Sequence, residues 1–324
     1  MNKKRKSFIL AAVVWVVVII SIIITLLSSR INSDLTYLQL LNKKVRNSMQ
    51  LRKALIQRLY YMEDIIDGKY PQTDTLLEIT REYKEELLMS QCVYHHRIVP
   101  QESGVNINKA DQSLLSELLK SSGVERHEEL ATAICAWRGD EGSSQAWKDA
   151  YDYYGMGYEC KREPFASMEE LNFVKGFENV PYLKMRGLKK LLTLYGDGTI
   201  NVNYADEKVM SALLRCVARE FDIHSRIDPD RLTAALLDAR EKEKTVFESF
   251  AQFEAFVISF SGDENSEYYK LLLQGLSAKL NMQGRFWLFS ASIGGCLPDD
   301  DYAGYTASLL WDSWNRRIIF REGL

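Results

Sequence analysis

The sequence predicts an α+β protein, and three stretches of the chain carry that prediction. Residues 8–67 contain neither proline nor glycine, so nothing interrupts a long helix there. Residues 104–276 hold two similar series of helix-forming segments. Residues 277–324 hold short aromatic and β-branched runs separated by Gly, Pro, Asp and Asn, which is typical of an antiparallel meander.

The long helix begins with an apolar run, Phe8 to Leu27, of 20 uncharged residues. An α-helix needs about 20 such residues to cross the hydrocarbon core of a bilayer. Four basic residues, Lys3 to Lys6, precede the run, and only Arg30 follows it closely. Because positive charge stays on the cytoplasmic side, we expect the N-terminus in the cytoplasm and the chain beyond about residue 30 outside.

Three interpretations of this N-terminus compete. A cleaved secretory signal has a shorter apolar centre, of about 7–15 residues, and ends at a small-x-small site. Leu27-Ser28-Ser29 is a poor site of that kind. An uncleaved signal anchor fits the run. The third interpretation is a prepilin-type leader, cut between Ser7 and Phe8, although the residue before such a cut is usually Gly.

Apolar residues continue along the helix at spacings of three and four, which indicates one helix face. They are Leu38, Leu41, Val45, Leu55, Leu59, Met62 and Ile66, with Ser48 and Arg52 in the two places that break the series. A helix from Phe8 to about Asp67 would be about 90 Å long. Half of it would lie in lipid and half would pack on the outer domain. The alternative is a membrane anchor followed by a separate coiled-coil stalk.

After Pro71 the sequence predicts a shorter helix, Thr75 to Leu88. The next segment, Cys92 to Val99, is rich in β-forming residues and predicts a strand.

Composition and motifs exclude several classes of function. A formal charge of −3 and a pI near 5.9 leave no basic excess outside the N-terminal flank, which argues against a general nucleic-acid binder. The chain has no nucleophile elbow, no glycine-rich phosphate loop and no HExxH spacing, so we do not expect an enzyme.

The five cysteines form no CxxC pair, so no zinc or redox motif is visible. Cys135 and Cys216 lie in apolar helical patterns, where we expect buried thiols. A disulfide among Cys92, Cys160 and Cys296 stays open.

The outer region contains a duplication. Residues 104–111 (GVNINKAD) match residues 199–206 (TINVNYAD), Leu130–Arg138 resembles Leu232–Arg240, and the Phe165 and Phe247 segments share Phe-x-Ser. Each copy predicts an extended Asn-φ-Asn, a helix capped by Asp, a second helix ending at Arg, and a third helix opened by Phe-x-Ser. The first copy carries an insertion, Gly139 to Glu163.

These strings resemble the K-type minor pseudopilin of type II secretion (general secretion pathway protein K family). The strings that carry the resemblance are Val105–Asp111, Ala136-Trp137-Arg138, Pro164–Gly176 and Ile200–Ala205. With the leader-like N-terminus they occur in the family's order over nearly the whole chain.

The resemblance implies a pilin-like long helix packed on a small antiparallel sheet, with a large helical domain inserted into the sheet region. It divides the chain into a leader (1–7), the transmembrane and pilin-type helix (8–67), a helix and β-sheet region (68–103 and 277–324) and an inserted helical domain (104–276). The repeat units of that domain are 104–176 and 199–256.

The resemblance also implies a structural role at the tip of a pseudopilus in the bacterial inner membrane, with the bulk of the chain in the periplasm. Expected partners are other minor pseudopilins, the major pseudopilin and the leader peptidase, and no nucleic acid. The family lacks the glutamate that ordinary pilins carry at mature position five, and counting from Phe8 that position is Ala12.

In the family, the loop that contains Trp often carries Asp residues that bind calcium, an ion that takes about six to eight oxygen ligands. The comparable loop here, Ala136 to Glu141, has lost two of the expected acids. Asp140, Glu141, Asp149 and Asp152 are candidate ligands, and a solvated loop is the alternative.

The strongest rival function is a membrane-anchored helix-hairpin-helix DNA receptor of the competence type, which shares Asn-φ-Asn-x-Ala and Phe-x-Ser. DNA-binding hairpins usually present Gly-φ-Gly, so that backbone N–H groups reach a phosphate. This chain has Gly123-Val124-Glu125 and Gly176-Phe177-Glu178, with 21 Lys and Arg against 29 Asp and Glu from Gly104 to Lys270. A signal-anchored sensor is a third class, permitted by the sequence but without positive evidence.

Overall fold

The computed structural model describes residues 3–67, 83–87, 92–140, 157–242, 245–262, 266–293 and 305–322. Its α-helices are α1 (Lys3–Ile66), α2 (Gln112–Ser121), α3 (His127–Trp137), α4 (Tyr182–Lys189), α5 (Glu207–Glu220), α6 (Pro229–Glu241), α7 (Phe250–Ser261) and α8 (Ser266–Leu276). Its strands are β1 (Tyr83–Leu87), β2 (Cys92–Pro100), β3 (Val105–Asn106), β4 (Leu192–Thr193), β5 (Ile200–Asn201), β6 (Leu280–Asn281), β7 (Phe286–Ile293), β8 (Tyr305–Asp312) and β9 (Arg317–Glu322).

The predicted long helix is present as one continuous element. α1 has 64 residues, which makes it about 96 Å long at 1.5 Å per residue. The alternative of an anchor followed by a separate stalk is therefore wrong. The helix has two halves with different surroundings: from Val13 to Arg46 its side chains are exposed, and burial begins at Asn47.

The buried face of α1 is displaced by one residue from the predicted face at several positions. Its buried side chains are Asn47, Leu51, Leu55, Leu59, Met62 and Ile65. Leu51 thus takes the place expected of Arg52, and Ile65 that of Ile66, which is exposed. A helix with 3.6 residues per turn drifts by about 20° per heptad from a strict seven-residue series, so the extrapolated series leaves the buried face.

The C-terminal part of α1, from Asn47 onward, is called its lower half, and it packs on a five-stranded sheet in the order β1-β2-β7-β8-β9. All neighbours in it are antiparallel. Alternate residues point to one face of a strand, and those that meet α1 are Ile98, Trp287, Phe289, Ala291, Ala307, Leu309 and Trp311. The chain leaves this sheet after β2 and returns at β7, which pairs with β2. The helical domain is inserted between these two adjacent strands, so the α+β fold class is confirmed.

The helix predicted from Thr75 to Leu88 is wrong where the structure describes it. Tyr83–Leu87 is strand β1, paired with β2 from Cys92 to His96. Residues 75–82 and Leu88 lie outside the described residues. Pairing with a neighbouring strand overrides the helix propensity of Lys84, Glu85 and Glu86.

The inserted domain contains two similar units that share one core. The first strand of each unit pairs in parallel with a strand that lies after the predicted end of that unit, at 176 and 256: β3 pairs with β4, and β5 pairs with β6. The predicted Asp caps are confirmed, because Asp111 accepts the N–H of Leu114 at 2.8 Å and Asp206 that of Lys208 at 2.9 Å. α2 and α5 pack against each other across the two units.

The third helix of each unit differs between the copies. In the second unit Ser249 caps the α-helix α7, as the sequence predicts. In the first unit the corresponding segment, Met168–Phe173, is a 3₁₀ helix, and Ser167 makes no side-chain cap bond. The Glu170 carboxylate accepts the N–H of Ala166 at 3.0 Å, which draws this turn together.

Candidate functional site: the assembly helix and the inserted domain

The first candidate surface is the upper half of α1, the exposed part from Val13 to Arg46. Of the described helices, α1 is the one long and apolar enough to cross a membrane. The large apolar side chains from Val13 to Leu27 are 41–68% exposed. Such a surface is stable in lipid or against other apolar helices, but not in water.

An apolar stripe extends this surface beyond the membrane run. It consists of Ile31, Leu35, Leu38, Leu41 and Val45, which follow one another at spacings of three and four and are 43–55% exposed. We call these five residues the upper stripe. The sequence predicted part of it as one face with the sheet-packed residues, but the structure separates the two: α1 buries its lower half on the sheet and leaves the upper stripe uncovered by the described chain.

Three predicted site residues lie at the start of α1. The backbone of Ser7, Phe8 and Ala12 is helical, and their side chains are outside those that the structure describes. The cleavage site and the mature position of Ala12 therefore stay predictions.

Of the four candidate calcium ligands, the structure describes Asp140. Its carboxylate accepts hydrogen bonds from Nε of Arg138 at 2.8 Å, and the two side chains form an ion pair. Glu141, Asp149 and Asp152 lie outside the described residues. Within the described part of the chain no group of three or more His, Cys, Asp or Glu side chains is placed to hold a metal ion. The calcium site stays a prediction.

The duplicated asparagines tie each unit's first turn to its third segment. Asn108 donates from Nδ2 to the carbonyl of Phe165 at 3.0 Å and accepts the N–H of Phe165 at 2.7 Å. Asn203 makes the same pair of bonds to Phe247, at 2.9 and 2.8 Å. Both asparagines therefore hold the scaffold together, because their hydrogen-bonding groups are turned inward.

The duplicated arginines tie the end of each unit's second helix to the turn that follows its Asn-φ-Asn strand. The Arg138 guanidinium donates to the carbonyl oxygens of Ile107 and Ala110, and that of Arg240 donates to the carbonyl of Ala205 at 2.8 Å. Ala110 and Ala205 occupy the same place in the two Asn-φ-Asn-x-Ala strings. The shared motif is explained by these contacts without any ligand.

The two hairpins that would bind DNA in the rival interpretation have a different chemistry here. Gly123 and Gly176 have φ angles of 69° and 95°, in the left-handed region that favours glycine. The Glu178 carboxylate accepts the N–H of Gly176 at 2.6 Å. A carboxylate of the chain thus occupies a backbone donor that a phosphate would need, and it repels that phosphate.

The junction between the inserted domain and the sheet contains a buried ionic cluster that sequence reasoning missed. The Glu102 carboxylate accepts the N–H groups of Arg285 and Phe286, at 3.3 and 3.1 Å, which ties the chain leaving the sheet to the chain returning to it. Burial raises the pKa of Glu102. Next to it, Arg285 donates from Nε and Nη2 to the two oxygens of Asp312, at 3.0 and 3.1 Å.

Asp312 is fully buried at the end of β8. The hydrogen bonds from Arg285 hold its pKa far below the usual range, although burial acts in the opposite direction. It also accepts the side-chain amide of Asn315 at 2.7 Å, which fixes the turn into β9. No short motif marks these groups, since Glu102, Arg285 and Asp312 are far apart in the sequence.

Cys135 and Cys216 are buried, which confirms the expectation for them. Burial raises the pKa of the Cys135 thiol to about 11, and it also raises that of Cys216. Both thiols are therefore protonated at neutral pH and act as small apolar side chains.

Comparison with known proteins gives a similarity in structure. No family model matches the sequence, and no curated protein matches it. Among solved structures, the chain is similar to a chain of the crystal structure of the GspK-GspI-GspJ complex from the enterotoxigenic Escherichia coli type 2 secretion system. The match has 15% sequence identity and a TM-score of 0.49, and it covers 85% of this chain and 98% of that chain.

Proposed function

We propose that this chain is a minor pseudopilin of the K type, a non-enzymatic subunit that supports assembly of a type II secretion pseudopilus and protein export. The observation that carries the proposal is the division of α1. Its lower half packs on an antiparallel sheet with a helical domain inserted between β2 and β7, and its upper half exposes a membrane-length apolar surface. The strings from Val105 to Ala205 support the same assignment through the family resemblance.

In this proposal α1 anchors the subunit in the inner membrane, with the N-terminus in the cytoplasm and the sheet and inserted domain in the periplasm. On assembly, the apolar run leaves lipid and the upper stripe leaves water, and both pack against the apolar helices of neighbouring subunits. The acidic inserted domain caps the tip, where the chain sits with other minor pseudopilins, above the major pseudopilin.

Ala12 agrees with a tip position. A carboxylate at mature position five would neutralise the amino terminus of the preceding subunit, and a tip subunit has no preceding subunit. We also propose that the loop after Arg138 is where calcium would bind, with Asp140, Glu141, Asp149 and Asp152 as the candidate ligands.

The hairpins disfavour the rival function of a DNA receptor. Glu178 occupies the Gly176 N–H, and the domain from Gly104 to Lys270 has more Asp and Glu than Lys and Arg. Counterion release, which drives binding to DNA, needs the opposite charge balance.

The leader is tested by N-terminal sequencing of the chain purified from cells with and without a prepilin leader peptidase. We expect the N-terminus at Phe8 when the peptidase is present and at Met1 when it is absent. Ser7→Gly restores the usual residue and should be cleaved at least as fast, whereas Phe8→Asp should leave the leader in place. Retention of Met1 or Lys3 in cells with an active peptidase would count against the proposal.

A further inference from the structure

Helix α4 of the inserted domain carries a face that the described chain leaves open. Tyr182 and Leu183 are 76% and 77% exposed, the highest values among the large apolar side chains of the described residues. Met185 and Leu188, on the opposite side of the same helix, are buried. The exposed residues, which we call the α4 face, are Tyr182, Leu183, Lys184, Arg186, Gly187 and Lys190.

In the second unit the glycine of the corresponding helix is covered, although Leu271, the counterpart of Leu183, is 39% exposed. Gly187-Leu188 stands before β4 at the same spacing as Gly275-Leu276 stands before β6, so the end of α8 corresponds to α4. A Cβ added to Gly275 would lie 2.5 Å from Cγ1 of Val217 and 2.5 Å from Cε2 of Phe221. A Cβ added to Gly187 would meet nothing within 4 Å. The glycine that allows close helix packing in one unit faces open space in the other.

The difference comes from the length of the helix that covers the glycine. α2 and α5 both begin one residue after their capping Asp, but α2 has 10 residues and α5 has 14. Val217 and Phe221 belong to this additional turn of α5 or follow it directly. In the first unit that turn is absent, so Gly187, in the α4 face, lacks the cover that Val217 and Phe221 give Gly275.

The α4 face is also basic within an acidic domain. It carries Lys184, Arg186 and Lys190 and no acidic residue, whereas the domain as a whole has an acidic excess. Lys184 donates to the carbonyl of Gly123, which leaves its positive charge without a carboxylate partner. Arg186 and Lys190 form no ion pair with a carboxylate of the described chain.

We propose that the α4 face is a docking site for an acidic amphipathic helix of a partner protein. The partner supplies the turn that the first unit lacks, with two apolar side chains spaced i, i+4 over Leu183 and Gly187, as Val217 and Phe221 do over Gly275. Its carboxylates lie beside Lys184, Arg186 and Lys190. The surface is defined by α4 alone, so the proposal does not depend on the role assigned to α1.

A nucleic acid fits the same surface less well. Glu178 and Glu125 lie in the two hairpins beside α4, and Glu178 already holds the Gly176 N–H that a phosphate would use. Two adjacent apolar side chains that are three-quarters exposed match an apolar helical turn better than a phosphate backbone.

The test measures binding of a fluorescein-labelled helical peptide to the full chain in detergent, by fluorescence anisotropy. The peptide carries Val and Phe at i, i+4 on one face and Glu on both sides of them. We expect saturable binding that weakens with salt and that Leu183→Glu or Gly187→Leu lowers about tenfold or more. Arg186→Glu should weaken it as well.

Matched controls come from the second unit. Leu271→Glu changes the residue of α8 that corresponds to Leu183, and Lys270→Glu reverses a charge on the same exposed helix; both should leave binding unchanged. The Tm of Gly187→Leu should not fall, since the site is open. A peptide with Ser in place of Val and Phe should bind at least tenfold more weakly.

Three results would each overturn the proposal. They are the lack of saturable binding to the unaltered chain, equal losses from the α8 controls, and tighter binding of duplex DNA than of the peptide at the α4 face. Leader removal in the same variants is measured separately and should be unchanged, so failure here leaves the proposed function to be judged on its own test.

Discussion

Single residues at the junction hold the sheet and the inserted domain in one arrangement. Asp312 has no exposed surface, and it joins the end of β8 to Arg285, the residue before β7. Because removing one partner leaves the other charge buried and unpaired, such a pair costs more to break than a surface ion pair. Loss of Asp312 should therefore weaken the fold more than loss of an exposed charge.

We expect Asp312→Asn to lower the free energy of unfolding at pH 7 by about 2–4 kcal/mol. The pKa of Asp312 is lower in the folded chain than its usual value of 3.8. Its stabilisation is therefore complete above that value and is lost as the pH falls toward the folded-state pKa. Denaturation monitored by tryptophan fluorescence should show the difference between variant and unaltered chain shrinking below about pH 4.

The control is Asp222→Asn, because the Asp222 side chain is 93% exposed. It should change the free energy of unfolding by less than about 0.5 kcal/mol. A difference for Asp312→Asn that grows as the pH is lowered would contradict the assignment.

Alanine substitution of the two corresponding glycines should change the free energy of unfolding in opposite directions. Gly187→Ala should raise the free energy of unfolding by up to about 1 kcal/mol, because alanine favours the helix and its Cβ meets nothing. Gly275→Ala should lower it by about 1–3 kcal/mol, because its Cβ would clash with Val217 and Phe221. Thermal melting of both variants checks this, and equal effects would show that the two units are packed alike.

At the scale of the element, α1 shows which features of a helix its sequence predicts and which it does not. The helix, its length and its membrane run follow from the absence of Pro and Gly and from the apolar residues. The buried face does not, because the sheet selects which residues α1 buries and the series of seven drifts away from them. The same reason explains β1: Tyr83–Leu87 has a partner in β2 that no local propensity reveals.

Leu51 and Arg52 distinguish the observed face from the predicted one. Leu51 is 1% exposed against the sheet, whereas Arg52 is exposed. Leu51→Ala should lower the free energy of unfolding by about 2–4 kcal/mol, and Arg52→Ala should change it by less than about 0.5 kcal/mol. Chemical denaturation of the two variants measures this. A larger loss from Arg52→Ala than from Leu51→Ala would show that α1 buries the face predicted from the sequence.

The candidate sites differ in how well the sequence predicts them. The Asn, Asp and Arg positions of the repeat were found because duplication makes them visible twice. The structure gives the two asparagines the same pair of bonds, and the Asp caps and Arg bonds recur with partners that differ in part. The α4 face was missed because it depends on a difference in length between α2 and α5. The Glu102, Arg285 and Asp312 cluster was missed because its members come from distant segments that only the fold brings together.

At the scale of the whole molecule, apolar surface is distributed unevenly. The described parts of the sheet and the inserted domain bury most of theirs, with exceptions such as Tyr182 and Leu183, whereas the first half of α1 exposes nearly all of its own. One helix therefore performs two tasks. From Asn47 to its C-terminal end it completes a folded domain, and before Asn47 it offers a surface to lipid or to other helices. This division is the central claim of the proposed function.

The most direct test is photocrosslinking in the membrane from a crosslinking amino acid at Leu41, in the upper stripe. Lys43 is the control, because a residue two positions away points about 200° around the helix. We expect adducts from Leu41, identified by mass spectrometry, with proteins that have their own N-terminal pilin-type apolar helix, and few from Lys43. Equal adducts from both positions, or adducts only with proteins that lack such a helix, would contradict assembly through α1.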